Sequence, residues 1–328
     1  MNYEIIDCID SGTEYCPCHL AESGNCILCS QLNGKDFCDC VNWKGVCIYQ
    51  EYTWNHNKAK KERSECICKI IKREEIDNNL IVLTIFIRKK LAEDLLYPGS
   101  YVFLRPTKSS RYYSSPISIM EASSDENIIK VIIEVKGIKT KSINELKEKD
   151  DIVLKGPYWN GVLGLKNIHS AKEGISLIIA RGIGEAPIVP IMKKLYSNGN
   201  KVVVIADRGK FKANLIDKYL EEFSSETYNF NTLNKDGELP EDFKDFLLNF
   251  IRYNKVNLIH ISGPNILTSK ILDVVDEDIK ISCSNNAKMC CGEGICGACS
   301  NIYDDDKMKR MCKVQIDPRY LFKGLRSI

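Results

Sequence analysis

Four cysteines near the C-terminus have the spacing of an iron–sulfur ligand set. Cys291, Cys296 and Cys299 form a C-x4-C-x2-C pattern, and Cys312 follows after twelve residues. This arrangement of four thiolates is typical of a [2Fe–2S] cluster. The glycines between the cysteines permit the positive φ angles that a loop wrapped around a cluster requires. Zinc also binds four thiolates, but its sites usually contain two C-x2-C pairs and this loop has one, so the pattern favours iron.

A second group of cysteines is concentrated near the N-terminus. Of sixteen cysteines, eight lie between Cys8 and Cys47, and none lies between positions 69 and 282. The segment 1–62 is too short to bury a large core, so bound metal would supply its folding energy. We predict a [4Fe–4S] cluster there, with structural zinc as the alternative. Four or more of seven thiols would bind it: Cys16, Cys18, Cys26, Cys29, Cys38, Cys40 and Cys47.

Composition excludes several function classes. The 328 residues contain 46 Lys and Arg against 44 Asp and Glu, and this balance argues against nucleic acid as the main partner. No apolar run reaches the length of a membrane span, and no secretory signal is visible at the N-terminus. Sixteen cysteines in a chain of this kind favour metal clusters in a reducing cytoplasm over disulfides.

The cysteine-free middle of the chain changes its pattern once. Short strands with Gly and Pro between them predict a small antiparallel β-barrel, and strands that alternate with helices then predict a doubly wound α/β domain. We detect no internal repeat. We therefore predict four consecutive parts, which are a Cys-rich segment (1–62), a barrel (63–168), an α/β domain (169–282) and a cluster loop with a tail (283–328).

A glycine-rich turn lies between a strand and a helix of the α/β domain. Gly182, Gly184 and Pro187 form a G-x-G-x-x-P pattern directly after the apolar strand 175–180. Backbone amides at such a helix start attract a pyrophosphate, and the glycines let the ligand approach. Pro187 is predicted as the first helical residue, where a missing amide costs nothing. A tight turn without ligand is the alternative.

The barrel, the G-x-G-x-x-P turn and the C-terminal M-x-C-G-x-G-x-C-x-x-C loop together resemble the ferredoxin-reductase superfamily. Within it they resemble the electron-transfer subunits of two-subunit dihydroorotate dehydrogenases, the small subunits of NADH-dependent ferredoxin:NADP oxidoreductases, and sulfide dehydrogenase. The resemblance covers about residues 64–316 and leaves out the N-terminal Cys-rich segment. It implies FAD in the barrel, NAD(P)H on the α/β domain, and a catalytic partner subunit or ferredoxin.

The resemblance also implies which residues bind the flavin. The family motif R-x-Y-S or R-P-I-S matches in two registers, 111–114 and 115–118, and we favour the second. Ser118 would then face flavin N5, and Ser115 replaces the family's arginine, so Arg105, Arg111 or Lys139 would contact the pyrophosphate. Segment 137–140 resembles the second phosphate loop and 156–161 a turn beside the flavin. The predicted flavin-binding residues are Arg111, Pro116, Ile117, Ser118, Gly137, Lys139, Thr140, Gly156 and Gly161.

Further residues are predicted to bind the dinucleotide. Asp207 ends the second strand of the α/β domain, where a carboxylate binds a ribose 2′-hydroxyl and disfavours a 2′-phosphate. Arg208 beside it favours the phosphate, and we predict NADH. Ser262, Gly263 and Pro264 resemble the family's turn beside the nicotinamide.

The predicted function is that of a flavin/iron–sulfur oxidoreductase subunit. Electrons would move between NAD(P)H, FAD, the [2Fe–2S] cluster and a partner protein, with the N-terminal centre extending the path. One alternative is a self-contained ferredoxin reductase. The other is a non-catalytic iron–sulfur adaptor or redox sensor with a degenerate nucleotide fold, and the intact glycine turn argues against it.

Overall fold

The computed structural model describes residues 6–40, 43–77, 79–212, 215–303 and 307–322. The chain forms two compact units that do not follow its order. The first unit contains Met1–Glu65 and Ala287–Ile316, and the second contains Cys66–Asn286 and Asp317–Ile328. The N-terminal Cys-rich segment and the C-terminal cysteine loop, which the sequence analysis treats as separate parts, therefore belong to the same unit.

An antiparallel sheet forms the first half of the second unit. Leu80–Phe86 pairs antiparallel with both Glu65–Asp77 and Ile128–Glu134, and Tyr101–Pro106 pairs antiparallel with both Ser115–Ser118 and Asp151–Tyr158. In order across the sheet, its strands are Ser115–Ser118, Tyr101–Pro106, Asp151–Tyr158, Glu65–Asp77, Leu80–Phe86, Ile128–Glu134 and Glu121–Ser123. The helices of this half are Lys89–Asp94, Ile138–Asn144 and the 3-10 turn Arg111–Tyr113.

The core of this sheet explains two cysteines outside the cluster motifs. Cys66 and Cys68 alternate with more exposed residues along their strand, so their side chains share one face. Cys68 is buried in the core, and Cys66 packs against it. Both thiols therefore serve packing.

A mostly parallel sheet forms the second half of this unit. Its apolar strands are buried on both faces, as expected for a sheet covered by helices. In order, its strands are Glu226–Asn229, Lys201–Asp207, Ile175–Arg181, Val256–Ser262, Ile281–Ser284 and Val162–Leu163, of which only the last runs antiparallel to its neighbour. The helices are Leu165–Ser170, Ile188–Ser197, Asp217–Phe223, Glu241–Tyr253, Asn265–Leu272 and Pro318–Phe322, with a 3-10 turn at Gly182–Glu185.

The strand order reverses beside Ile175–Arg181. The chain first continues to Lys201–Asp207 on one side of this strand and later returns to Val256–Ser262 on the other. Ligands of such sheets bind at this reversal, outside the carboxyl ends of the strands. The helix after the glycine turn begins at Ile188, and Pro187 caps it. This is one residue later than predicted, because a 3-10 turn occupies 182–185.

The first unit contains little regular structure. Asp7–Cys8 pairs antiparallel with Val314–Gln315, and Ser300–Tyr303 pairs with Lys307–Arg310. Its helical segments are His19–Glu22, Gln31–Asn33 (a 3-10 turn) and Ile48–Trp54. The small N-terminal core consists of Ala21, Cys26 and Leu32, with Cys29, Ile48 and Tyr52 packed against it. So small an apolar core agrees with the prediction that metal stabilises this segment.

Among the helices that the structure describes, none has the length and apolar character needed to cross a bilayer.

Candidate functional site

The structure brings the two predicted dinucleotide turns together at the strand-order reversal. Gly182 has a φ of +60°, and a Cβ on Gly184 would lie 2.5 Å from the Ser262 carbonyl oxygen. The Ser262 hydroxyl donates to the Gly184 carbonyl oxygen over 2.7 Å and hydrogen-bonds the Ser284 hydroxyl over 2.8 Å. Glycine is therefore required at position 184, because only a bare backbone fits against the neighbouring strand end.

Asp207 is buried and occupied by contacts within the protein. Its carboxylate accepts hydrogen bonds from the Thr232 amide and hydroxyl, both over 2.7 Å, and from the Gly209 amide over 2.9 Å. It also forms an ion pair with Arg181. Asp207 thus orders the loops around it, and its contact with a ribose hydroxyl stays a prediction.

Glu185 is a candidate residue that the sequence analysis missed. It lies inside the glycine turn, is 3% exposed, and lines a cavity of about 280 Å³ together with Arg208 and Asp217. Burial, helped by the carboxylates of Asp217 and Asp207 and opposed by Arg208, raises the pKa of Glu185 to about 7. The one signal in the sequence was a charged residue between the glycines and the proline.

We expect Glu185→Gln to stabilise the protein above pH 7 and to leave its stability nearly unchanged at pH 5. The pKa of Glu185 lies above its ordinary value of 4.5, so the side chain loses its proton more easily in the unfolded chain than in the folded one. The folded chain therefore becomes less stable as the pH rises from 4.5 to 7. At about 1.4 kcal/mol per pKa unit the full effect is about 3 kcal/mol. Urea unfolding at pH 5 and pH 8 measures it, with Glu221→Gln, an exposed neighbour on the same cavity, as the control. Equal stability of wild type and Glu185→Gln at pH 8 would contradict the assignment.

The predicted flavin strand presents alternate residues to the two sides of the sheet. Pro116 is exposed and Ser118 half-buried, whereas Ile117 between them is buried. Ser118 pairs with Tyr101, whose ring stacks on that of Tyr158 with centroids 5.2 Å apart. This placement suits the second register of the motif, because Ser118 lies on the accessible face of a rigid strand.

The cationic candidates for the pyrophosphate are placed differently. The Lys139 ammonium donates to the Ser114 carbonyl oxygen over 3.2 Å, so the predicted second phosphate loop adjoins the flavin motif. Arg105 is 9% exposed and donates to the Ser109 carbonyl oxygen over 3.0 Å, which orders its own loop. Arg111 is exposed in a 3-10 turn.

The second phosphate loop is held by its own side chain. The Thr140 hydroxyl accepts hydrogen bonds from the amides of Lys136 and Gly137 over 3.0 and 3.2 Å. The phosphate contacts of Gly137 and Thr140 therefore stay predictions.

The turn 156–161 is fixed by close backbone contacts. The Gly161 amide donates to the Gly99 carbonyl oxygen over 2.8 Å, and a Cβ on Gly161 would lie 2.6 Å from that oxygen. A Cβ on Gly156 would lie 3.0 Å from the Val102 side chain. The Trp159 indole donates to the Asp94 carbonyl oxygen over 2.7 Å. This hydrogen bond explains how the turn accommodates a large side chain.

The C-terminal loop has the backbone that a cluster ligand set requires. Gly292, Gly294 and Gly297 have φ angles of +70°, +81° and +75°, as predicted. The Cys291 sulfur accepts hydrogen bonds from the Glu293 and Cys296 amides over 3.4 and 3.5 Å. Amides directed at sulfur stabilise thiolates and tune the potential of iron–sulfur clusters.

The other two predicted ligands of this loop are buried side by side. The Cys299 sulfur accepts from the Cys312 amide over 3.4 Å. In the described residues, no three His, Cys, Asp or Glu side chains converge closely enough to hold one metal ion. A [2Fe–2S] cluster differs from a single ion because its thiolates bind different iron atoms, and the donor set of this loop fits it.

Four buried charges connect the cysteine loop to the N-terminal segment. The Arg63 guanidinium pairs with Asp10 over 2.7 Å and with Glu293 over 3.1 Å, and the Lys313 ammonium pairs with the same two carboxylates. All four side chains are at most 4% exposed. Glu293 lies between two predicted ligands and Lys313 follows Cys312. This ionic group was not predicted, because nothing local in the sequence pairs these residues.

All seven N-terminal thiols named from the sequence line cavities of the first unit. Cys8, which the sequence analysis left out, joins three of them around one cavity. The other four line a second cavity. Burial, together with the charges of Cys18 and Cys26, raises the pKa of Cys16 to about 12, so these three sulfur atoms lie within electrostatic range of one another. All sixteen cysteines of the chain are free thiols.

Curated relatives carry one description, the electron transfer subunit of dihydroorotate dehydrogenase B (NAD(+)). The protein from Fusobacterium nucleatum is 29% identical over 224 residues, which cover 65% of this chain and 81% of the relative. That from Clostridium acetobutylicum is 27% identical over 211 residues, covering 62% and 76%. No family model matches the chain.

Solved structures share the fold. A chain of the NADH-dependent reduced ferredoxin–NADP oxidoreductase, described for flavin-based electron bifurcation, aligns with a TM-score of 0.61 at 21% identity, covering 80% of this chain and 94% of the other. The CS-b5R domains of human Ncb5or align with a TM-score of 0.51 at 14% identity, covering 69% and 70%. The predicted resemblance to electron-transfer subunits of dihydroorotate dehydrogenases is confirmed, and the solved structures share the fold.

Proposed function

We propose that this chain is the electron-transfer subunit of a flavin/iron–sulfur oxidoreductase, moving electrons between NAD(P)H, FAD, a [2Fe–2S] cluster and a partner protein. One observation carries the proposal: the Gly182–Glu185 turn is hydrogen-bonded to Ser262 where the strand order reverses. The same chain also contains the C-x4-C-x2-C loop. The descriptions of the curated relatives support it.

The dinucleotide binds across the strand ends in this proposal. The amides of the 3-10 turn Gly182–Glu185 receive the pyrophosphate, and Ser262, Gly263 and Pro264 contact the nicotinamide. The Ser262 hydroxyl is fully buried and bonded to Gly184 and Ser284, so it fixes the turn that carries Gly263 and Pro264. The carboxylates of Glu185 and Asp217 line the cavity beside Arg208, and their negative charge favours NADH over a dinucleotide with a 2′-phosphate.

The flavin binds on the antiparallel sheet in this proposal. FAD, when bound, accepts a hydride and releases its electrons one at a time. The chain contributes Ser118 as the hydrogen-bonding group near N5, on a strand that pairs with Tyr101, whose ring stacks on that of Tyr158. Lys139, beside Ser114, supplies positive charge for the pyrophosphate in place of the family's arginine.

In this proposal the first unit holds the iron–sulfur centres through which electrons pass to the partner protein. Cys291, Cys296, Cys299 and Cys312 hold the [2Fe–2S] cluster, and the N-terminal segment holds iron–sulfur, with zinc as the alternative. Free thiols throughout the chain suit a reducing cytoplasm. The subunits named by the relatives point to a catalytic partner subunit.

We expect the purified protein to be yellow, to contain about one FAD per chain, and to be bleached by NADH under anaerobic conditions. Gly184→Ala should prevent bleaching by NADH but not by dithionite, because the new methyl group would collide with the Ser262 carbonyl oxygen at 2.5 Å. Visible absorption spectra measure both results. Asn249→Ala, a change at an exposed position of the helix Glu241–Tyr253, serves as the control. A protein without flavin would contradict the proposed function.

A further inference from the structure

We propose that the N-terminal segment holds two separate four-thiolate iron–sulfur clusters. One would be bound by Cys8, Cys16, Cys18 and Cys26, and the other by Cys29, Cys38, Cys40 and Cys47. The assignment of iron rests on the proposed function, whereas the number of centres and the ligands of each rest on the structure. Two observations support dividing the eight cysteines into two sets: a repeated sequence pattern, and the two cavities that the thiols line.

The segment contains a repeat that the sequence analysis missed. Each set of cysteines spans nineteen residues, as C-x7-C-x-C-x7-C in the first and C-x8-C-x-C-x6-C in the second. In both, a glycine lies four residues before the C-x-C pair, an aromatic residue directly before it, and a glycine two residues before the last cysteine. The matched residues are Gly12 and Gly34, Tyr15 and Phe37, and Gly24 and Gly45. The prediction of no internal repeat is therefore wrong.

The backbone repeats together with the sequence. Gly12 and Gly34 have φ angles of +79° and +78°, and Gly24 and Gly45 have φ angles of +68° and +86°. Glycine adopts this left-handed region readily and other residues do not. Both halves of the segment therefore turn in the same sense at matched positions, as two copies of one cysteine-binding unit would.

The two sets of thiols line different cavities. No cysteine lines both, and each cavity receives all four cysteines of one set. Ser11, Leu28 and Ile48 line both cavities and so lie where the two sets adjoin. The Cys38 and Cys40 sulfurs lie 3.3 Å apart within the second set. Cys26 and Cys29 are neighbours at this boundary, but each lines only the cavity of its own set.

The donor chemistry of each cavity fits a cluster. Four cysteines are the complete ligand set of a [4Fe–4S] cluster. The Cys26 sulfur accepts a hydrogen bond from the Cys29 amide over 3.4 Å, the same kind of contact that Cys291 and Cys299 receive in the C-terminal loop. A Cβ on Gly294 would lie 3.1 Å from the side chain of Leu20, which lines the first cavity, so the first set adjoins the predicted [2Fe–2S] loop.

Metal analysis of the full-length chain, purified anaerobically, counts the centres. We expect about ten iron atoms per chain with matching acid-labile sulfide, two from the C-terminal loop and four from each N-terminal set. About six irons would mean one N-terminal centre, and zinc in place of the additional iron would mean structural ions, so either result would overturn the proposal. FAD is counted in the same sample, so loss of the flavin function is seen separately from loss of iron.

Two matched substitutions test which thiols share a centre. Cys18→Ser and Cys40→Ser should each remove about four irons and leave the other N-terminal cluster in place. Cys66→Ser, which changes a packing thiol of the antiparallel sheet, should keep all of them. Loss of the whole N-terminal iron content from either single change would overturn the division into two sets. The count on the unaltered chain decides the number of centres even where a variant fails to fold.

Discussion

Replacing Cys296 by serine is expected to abolish the [2Fe–2S] signal in electron paramagnetic resonance and electron delivery to a protein acceptor, while FAD stays bound and is still reduced by NADH. Cys296 is exposed on the loop, so its loss removes a ligand without opening a core. Delivery should fall more than about 100-fold, since removal of even an outer partner of a metal ligand costs about 10–100-fold. Anaerobic assays with a small dye and with a protein acceptor separate the two activities.

Cys290→Ser provides the matched control for this experiment. Cys290 is an exposed neighbour of Cys291 but lies outside the C-x4-C-x2-C pattern, so this variant should keep the signal and the delivery. If Cys296→Ser lost flavin and all signals together, the loop would be structural and the proposed path would be wrong.

Lys313→Met is expected to lower the free energy of unfolding of the first unit by about 3–5 kcal/mol, the typical cost of removing one partner of a buried ion pair. Burial alone would lower the pKa of Lys313, but the charge of Asp10 outweighs it, with help from Glu293, and holds this pKa above its ordinary value. Without the ammonium, the buried carboxylates of Asp10 and Glu293 would lose a cation that pairs with both of them. Urea unfolding followed by iron–sulfur absorbance measures the loss.

Two further variants make this result specific to the buried charges. Lys35→Met removes an exposed lysine of the same unit that is 4.0 Å from Asp39, and it should change stability by less than about 1 kcal/mol. Adding Glu293→Gln to Lys313→Met restores the charge balance of the buried group and should recover part of the loss. A Lys313→Met protein as stable as Lys35→Met would show that the ionic group does not stabilise the unit.

Local sequence pattern was sufficient to predict the two sheets and the position of the glycine turn. The apolar run at 175–180 and the G-x-G-x-x-P motif each act over a few residues, and the structure places that turn where the strand order reverses. The positive φ angles in the cysteine loop were also predictable from local sequence, because glycines lie between the predicted ligands there.

Contacts between distant residues were not predictable from the same patterns. Asp10 and Lys313 are 303 positions apart, and neither carries a local signal for burial. The partner of Asp207 is Thr232, a loop residue with no motif of its own. Glu185 was missed because burial, which raises its pKa, depends on the packing of three strand ends. Of these, the contact between Asp10 and Lys313 joins the two cysteine-rich ends of the chain in one unit.

Rapid anaerobic mixing of the purified protein with NADH, followed by both visible absorption and electron paramagnetic resonance, would reveal the order in which flavin and cluster are reduced. We predict that flavin absorbance falls first and that the [2Fe–2S] signal appears afterwards at a rate set by flavin reduction. A cluster signal that rises without prior loss of flavin absorbance, or an intact cluster that stays oxidised while the flavin is fully reduced, would contradict electron transfer from NADH through FAD to this loop.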